Sequence, residues 1–305
     1  MATATQVAKI AQEGPEARPR SKTLAQRALY RIRRDKLTLI SLLVLLMMAV
    51  LSYSAPFITN QILQTSYTRP DPINKYLPIG TEGHLLGTDE LGRDHLARLL
   101  YGGRVSLTIG FSAAILSMTI GVAIGVTAGF YGGPLDDFII WFVTTLNSLP
   151  QLFLLLMISA VLSPGPVSLI LVLSFLGWTG EMRLMRGEAL KLREREFTLA
   201  ARSVGASDWR IMFIHIAPNA ISLLLITLAR SIGGIILAES SLSFLGFGIK
   251  PPVPSWGNML SNGLELLRLA PHLVIAPGLL ITITVLCLYV IGDGLRDAFD
   301  PRIAD

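Results

Sequence analysis

The feature that most constrains this chain is a set of apolar runs, each near the roughly 20 residues a helix needs to cross the hydrocarbon core of a bilayer. They are Leu37 to Ile58, Arg104 to Tyr131, Phe138 to Leu162, Val167 to Glu181, Ala220 to Gly248 and His272 to Asp293. Backbone N–H and C=O groups find no water in a bilayer, so such runs must satisfy them internally, as helices. The expectation is an all-α, polytopic membrane protein with six transmembrane helices. Composition agrees: 51% of residues are hydrophobic and only 15% charged, against roughly 25% charged in an average soluble domain. The net charge of +5 does not point to nucleic acid, because the basic residues sit in the N-terminal tail and loops that a membrane topology needs. The single cysteine, Cys287, excludes an intrachain disulfide.

The runs divide the chain. Residues 1–36 form a cytoplasmic tail, and in it Lys22 to Lys36 places Leu24, Ala25, Ala28, Leu29 and Ile32 on one arc beside Arg27, Arg31 and Arg34. That pattern suits an interfacial helix, or simply a charged flank that orients the first span. Residues 37–58 are the first span. They are too long and too far from the start for a signal peptide. Residues 59–103 are an external loop whose second half reads as a short helix, capped by Thr88 or Asp89 and ended by Gly102-Gly103. Capping and solvation account for Asp89, Glu90, Asp94 and His95 there. Residues 104–294 hold the five remaining spans, with a cytoplasmic loop at 183–218, and 295–305 form a short cytoplasmic tail. Both termini lie inside, which puts the most basic segments in the cytoplasm.

Within the spans, Gly121, Gly125 and Gly129 recur every four residues, a spacing that lets helix backbones approach closely. Pro150, with Asn147, Ser148 and Gln151 around it, interrupts the third span. It frees a carbonyl that must be satisfied in protein or water, and so marks either the translocation path or a packing kink. Arg230 and Glu239 are costly in hydrocarbon and should face the protein interior or water. Glu239, followed by Ser240, either lines a path or hydrogen-bonds a neighbouring helix. Trp256, in a proline-rich external loop, reads as an interface anchor or as a contact for a substrate-delivering protein.

The segment Arg183 to Asn219 carries Arg183, Arg186, Lys191, Arg193, Arg195, Arg202 and Arg210. Its centre reads as helix, glycine turn, helix. Leu199, Ala200 and Ala201 end the first helix, Gly205 takes the left-handed turn, and Ser207 or Asp208 caps the next at Trp209. Leu199-Ala200-Ala201, then Gly205, then His215-Ile216-Ala217-Pro218, resembles the "EAA" loop of ABC-importer permeases. Gly87 to Asp94, Ala238 to Gly246 and Pro252 to Leu260 look like three further motifs of the C-type permeases of the dipeptide/oligopeptide/nickel importer family, in that family's order. The resemblance covers the chain from about Lys22 to its end. It departs from the pattern at Leu199, where the family usually has an acidic residue, and at Ala217, where it often has leucine.

The resemblance implies an ABC importer type I permease-like fold in the plasma membrane of a prokaryote. It implies a B-type permease partner, two ATPase subunits that carry the ATP and magnesium, and an extracytoplasmic solute-binding protein. Contact with the ATPase is carried onto Ala200, Ala201, Gly205, Ser207 and Asp208. Peptides are the expected cargo, with nickel chelates or oligosaccharides as alternatives. A membrane-embedded enzyme using Glu239, or a self-sufficient channel or secondary transporter, are readings of another class, but neither needs a cytoplasmic Ala-Ala-x-x-x-Gly elbow. No G-x-x-x-x-G-K-S/T stretch and no H-E-x-x-H occur, and the four histidines lack metal-ligand spacing. No cofactor or metal is expected in this chain.

Overall fold

The computed structural model describes residues 24–162 and 165–299, and all statements below concern those. Most of the N-terminal tail, part of the turn at 163–166 and the last residues of the C-terminal tail lie outside them. Helix α1 (Leu24–Arg34) leads into α2 (Lys36–Tyr53). Between them Asp35 caps α2, accepting from the Leu37 N–H at 3.0 Å and from the Thr38 hydroxyl. That hydroxyl, ahead of the backbone donors, holds the Asp35 carboxyl below its ordinary value. Two short helical pieces, Ala55–Phe57 and the π-helical Ile58–Leu63, end the first hairpin arm. Then follow α3 (His95–Tyr131), α4 (Gly133–Asn147), α5 (Gln151–Val161), α6 (Pro166–Leu192) and α7 (Glu196–Ser203). Helices α8 (Ile221–Phe244), α9 (Gly263–Leu269) and α10 (His272–Phe299) complete the chain. Among the described residues there is no strand, only isolated bridges at Thr81–His84 and Thr88–Asp94.

Five of these helices are long and apolar enough to cross a membrane, and α4 with α5 forms a sixth candidate bent by 84°. Packing decides the count. The start of α4 follows the end of α3, beside the elbow after α6. Ser159 and Leu162, at the end of α5, share a crevice with Ser168, Leu169 and Phe247, next to the start of α6 and beyond the end of α8. The bent pair therefore runs from one end of the bundle to the other, as a single broken traverse. Thr38 lies against Gly294, so α2 begins where α10 ends. Both lie at the elbow end.

Several boundaries differ from the sequence expectation. The third span is broken rather than kinked: Pro150 is extended (ψ 119°) and begins a new helix. The reason is that proline lacks an N–H and its ring disfavours the α conformation in the residue before it. Gly102-Gly103 do not end a helix. Asp94, not Thr88 or Asp89, provides the cap, accepting from the Ala97 N–H at 2.7 Å, and α3 runs unbroken for 37 residues. The two glycines make room for Trp256, since a Cβ on Gly103 would stand 2.7 Å from its ring and 2.3 Å from Ser52 Oγ. Trp256 is accordingly core and not an interface anchor: it is 1% exposed, and Nε1 donates to the Leu99 carbonyl at 3.0 Å. Helix α6 continues through Glu181, Arg183 and Arg186 to Leu192, so the 183–218 loop begins inside a helix. Charged residues end a membrane crossing but not a helix, and no proline breaks this one. Helix α10 likewise absorbs the first residues of the expected C-terminal tail.

The tightest packing joins α3 to α6. A Cβ on Gly121 would lie 2.8 Å from the Trp178 carbonyl oxygen, one on Gly125 2.5 Å from that of Met182, and one on Gly129 2.6 Å from that of Arg186. Hydrogen in place of a side chain is what lets the two backbones meet along this seam.

Trp256→Phe tests the plug on the other half of α3. It removes the indole N–H that donates to the Leu99 carbonyl and leaves part of the slot empty, so a loss of about 1–3 kcal/mol is expected. Thermal melts of the detergent-solubilised protein would read this as a lower midpoint.

Candidate functional site

At one end of the bundle the chain builds an elbow from α7, a glycine turn and a second helical stretch. That stretch runs as Asp208–Arg210, the π-helical Ile211–Ile216 and Ala217–Asn219. Gly205 sits at φ +82°, in the left-handed region. Its N–H donates to the Arg202 carbonyl at 3.0 Å, and the Ala206 N–H closes back on the Ala201 carbonyl at 3.0 Å. Ser207 occupies the N-cap position in extended geometry without a side-chain cap bond, and Asp208 opens the next helix. Ala201, Ile211, Met212 and Ile216 hold the elbow against Val126, Phe130, Met185 and Ala189. The opposite face is open: Val204 is 84% and Trp209 67% exposed. Trp209 rests on Phe213 with ring centroids 4.2 Å apart. An exposed apolar tip on a basic, rigidly turned segment is a surface awaiting a partner.

Three arginines, two at the end of α6 and one on α7, fasten the approach to this elbow and the elbow itself to the corner between α3 and α4. Arg186 forks onto Asp136 at 2.5 and 2.6 Å, Arg193 Nη1 donates to the Gly129 carbonyl at 3.1 Å, and Arg202 stands 5.4 Å over the Phe130 ring. The sequence gives no hint of the Asp136–Arg186 pair, because 50 residues separate its members.

The residues around the break in α4–α5 part company. Asn147 Oδ1 accepts from Thr179 at 3.3 Å, whereas Gln151 lines a cavity of about 360 Å³ bounded by α5, α6 and α8. Its other walls are apolar or small, Leu155, Leu173, Gly177, Gly234 and Ala238, with Ser231 as a second polar group.

Glu239 does not line that cavity. It is fully buried, accepting from Ser106 Oγ of α3 at 3.0 Å and from Ser243 Oγ at 2.7 Å. Ser106 Oγ in turn accepts from the Trp256 N–H at 3.2 Å. Ser240 is buried beside Gly257. Glu239 thus ties two helices and the loop after α8 together, and among the described residues no second carboxylate is bonded to it as an acid–base pair would need. Glu181 of α6 is a second buried acid, which its place at the charged end of an apolar run does not announce. It is 7% exposed and accepts from Ser231 of α8 at 2.8 Å. Arg230 pairs with Asp293 of α10, both about half exposed. In the loop before α3, Asp89 and Asp94 are buried rather than solvated. Asp89 binds Arg93 and Arg98, and Asp94 meets His84 Nδ1 at 2.8 Å. Among the described residues no three His, Cys, Asp or Glu converge as metal ligands would.

Six helical traverses with an exposed elbow between the fourth and fifth define a polytopic membrane subunit with a surface suited to a partner. Comparison with known proteins agrees. Residues 121–305 match the family described as binding-protein-dependent transport system inner membrane component. Residues 23–78 match the N-terminal transmembrane domain of oligopeptide transport permease C. The chain belongs to the binding-protein-dependent transport family and is a permease subunit of an ABC importer. It is 34% identical over 284 residues to the oligopeptide transport system permease protein OppC of Bacillus subtilis (strain 168), covering 93% of this chain and 92% of that one. It is 35% identical over 286 residues to the dipeptide transport system permease protein DppC of the same organism, covering 93% and 87%. Among solved structures, the inward-facing MetNI methionine ABC transporter superposes on 66% of this chain and 96% of its own with a TM-score of 0.52, at 19% identity. That likeness carries the fold alone.

Proposed function

We propose that this subunit forms half of a path for di- or oligopeptides and is moved through its elbow by ATPase subunits. The observation that carries the proposal is the exposed Val204–Trp209 tip on a turn fixed by Gly205. Ala200, Ala201, Gly205, Ser207 and Asp208 present that tip to a cleft on the ATPase. A homologous B-type permease closes the open side of the cavity at Gln151, and two ATPases hold ATP and magnesium beneath. An extracytoplasmic solute-binding protein delivers cargo at the other end, and both termini are cytoplasmic in a prokaryotic plasma membrane. The peptide assignment is supported by the names of the two Bacillus relatives. ATP binding draws the elbows of the two permeases together and tilts the helices attached to them. Arg186, Arg193 and Arg202 pass that movement to α3 and α4.

The test is purification of the tagged chain from its native membrane with identification of what accompanies it. A second permease and Walker-motif ATPases are expected, with ATPase activity raised by peptide-loaded binding protein. A chain that emerges alone and without ATPase would overturn the reading.

A further inference from the structure

Three stretches that the elbow does not use converge at the far end of the bundle. Gly87 to Asp94, the end of α8 and the loop after it enclose one cavity of about 240 Å³. Its charged lining is Asp89, Glu90, Arg93, Arg98 and Lys250, an excess of one positive charge, with His95 beside them. Arg93 and Arg98 are each 5% exposed and share a single carboxylate. Asp89 is saturated. One oxygen accepts the Leu91 and Arg93 N–H groups at 2.9 and 3.0 Å, and the other takes Arg93 Nε at 2.8 Å and Arg98 Nε at 3.2 Å. Arg98 Nη1 and His95 Nε2 are left buried with no hydrogen-bond partner. A buried guanidinium with an unused donor, sharing Asp89 with Arg93 and with only the partly exposed Glu90 as a further acid nearby, is costly unless something completes it.

We propose that this cavity is a carboxylate-binding site, in which an incoming carboxylate pairs with Arg98 across from Asp89 and with Lys250 at the rim. Guanidinium and carboxylate match in planar, two-point geometry. The volume equals about eight waters at roughly 30 Å³ each. That is room for an acidic side chain or a chain terminus and not for a whole peptide. Ser243 and Asn258 of the other two stretches also line it, with their polar atoms already bonded within the chain. Two carriers could bring the carboxylate: the C-terminus of a peptide, or an acidic side chain on the delivering protein. Only that choice of carriers rests on the permease reading.

The experiment uses the full complex in nanodiscs, as wild type, Arg98→Lys and Lys250→Ala. Arg98→Lys keeps the charge next to Asp89 and removes the fork, and Lys250 is exposed. The probes are Ala-Ala-Ala, its C-terminal amide, and the unloaded binding protein. A tenfold or greater loss for Ala-Ala-Ala in both variants, with the amide already weak on wild type, supports the site with a peptide terminus as carrier. The same loss for unloaded binding protein, with both tripeptides unchanged, supports it with an acidic side chain as carrier. Wild-type affinity for every probe in folded Lys250→Ala, whether or not Arg98→Lys folds, overturns it. Failure of the permease reading shows differently, as absence of ATPases from the purified sample. The tripeptide titration then proceeds on the chain alone.

Discussion

Gly205→Val is expected to insert and fold normally and to lower peptide uptake at least tenfold. Gly205 stands at φ +82° with nothing within 4 Å of where a Cβ would be. A valine therefore meets no clash, and its whole effect is on the backbone. A left-handed conformation costs an ordinary L-residue about 1–2 kcal/mol, more for a β-branched one. The chain escapes that cost by rotating φ to a negative value, which changes the angle between α7 and the helix beginning at Asp208. The exposed tip at Val204 and Trp209 then no longer meets a rigid partner surface. Uptake of radiolabelled peptide and peptide-stimulated ATPase should fall together, with membrane levels and thermal midpoint unchanged. Gly205→Asn, which tolerates the left-handed region, should keep most of the activity. Normal uptake by the valine variant would show that the turn angle does not matter for coupling.

Gly125→Leu is expected to do something different in kind, and to prevent the bundle from closing at all. A Cβ there would stand 2.5 Å from the Met182 carbonyl oxygen and 2.9 Å from Met185 Cβ, before any further leucine atoms are added. Backbone cannot swing aside as a long side chain can, so α3 and α6 must separate. Overpacking costs about 1–3 kcal/mol where neighbours can repack. Here the loss should exceed that range, because the seam repeats at Gly121 and Gly129. The expected result is loss of a monodisperse peak on size-exclusion chromatography and rapid degradation in the membrane. Gly234→Ala, with nothing within 4 Å, is the control for folding and should match wild type in membrane level and chromatographic profile. A stable, active Gly125→Leu protein would mean that the two helices do not meet in the working complex.

The pattern of spans and elbow was legible in the sequence because both rest on local signals. Apolar length announces a traverse, and Ala-Ala-x-x-x-Gly followed by serine and aspartate announces a helix, a left-handed turn and a new helix. The family resemblance rested on the same short motifs. What could not be read was set by distant partners. Trp256 has the local setting of an interface residue, and only the slot made by Gly102 and Gly103, about 150 residues earlier, makes it core. Asp89 looked solvated because Arg98 is nine residues away and its burial depends on the loop after α8. Glu181 and Ser231, like Asp136 and Arg186, are 50 residues apart. Proline at 150 announces the break, but the 84° between α4 and α5 also depends on what α5 packs against, which no local signal states.

The length of α3 has a consequence of its own. At 37 residues it measures about 55 Å, nearly twice the roughly 30 Å of hydrocarbon it must cross. One end is held by Arg193 on the Gly129 carbonyl and Arg202 over the Phe130 ring, and the other carries His95 and Arg98 into the arginine-lined cavity. A rigid rod of that length magnifies small rotations, since pivoting it by about 5° at one end carries the other through about 5 Å. A movement too small to disturb the packing at the elbow would thus reshape the cavity at the far end, with no signal relayed from residue to residue between them.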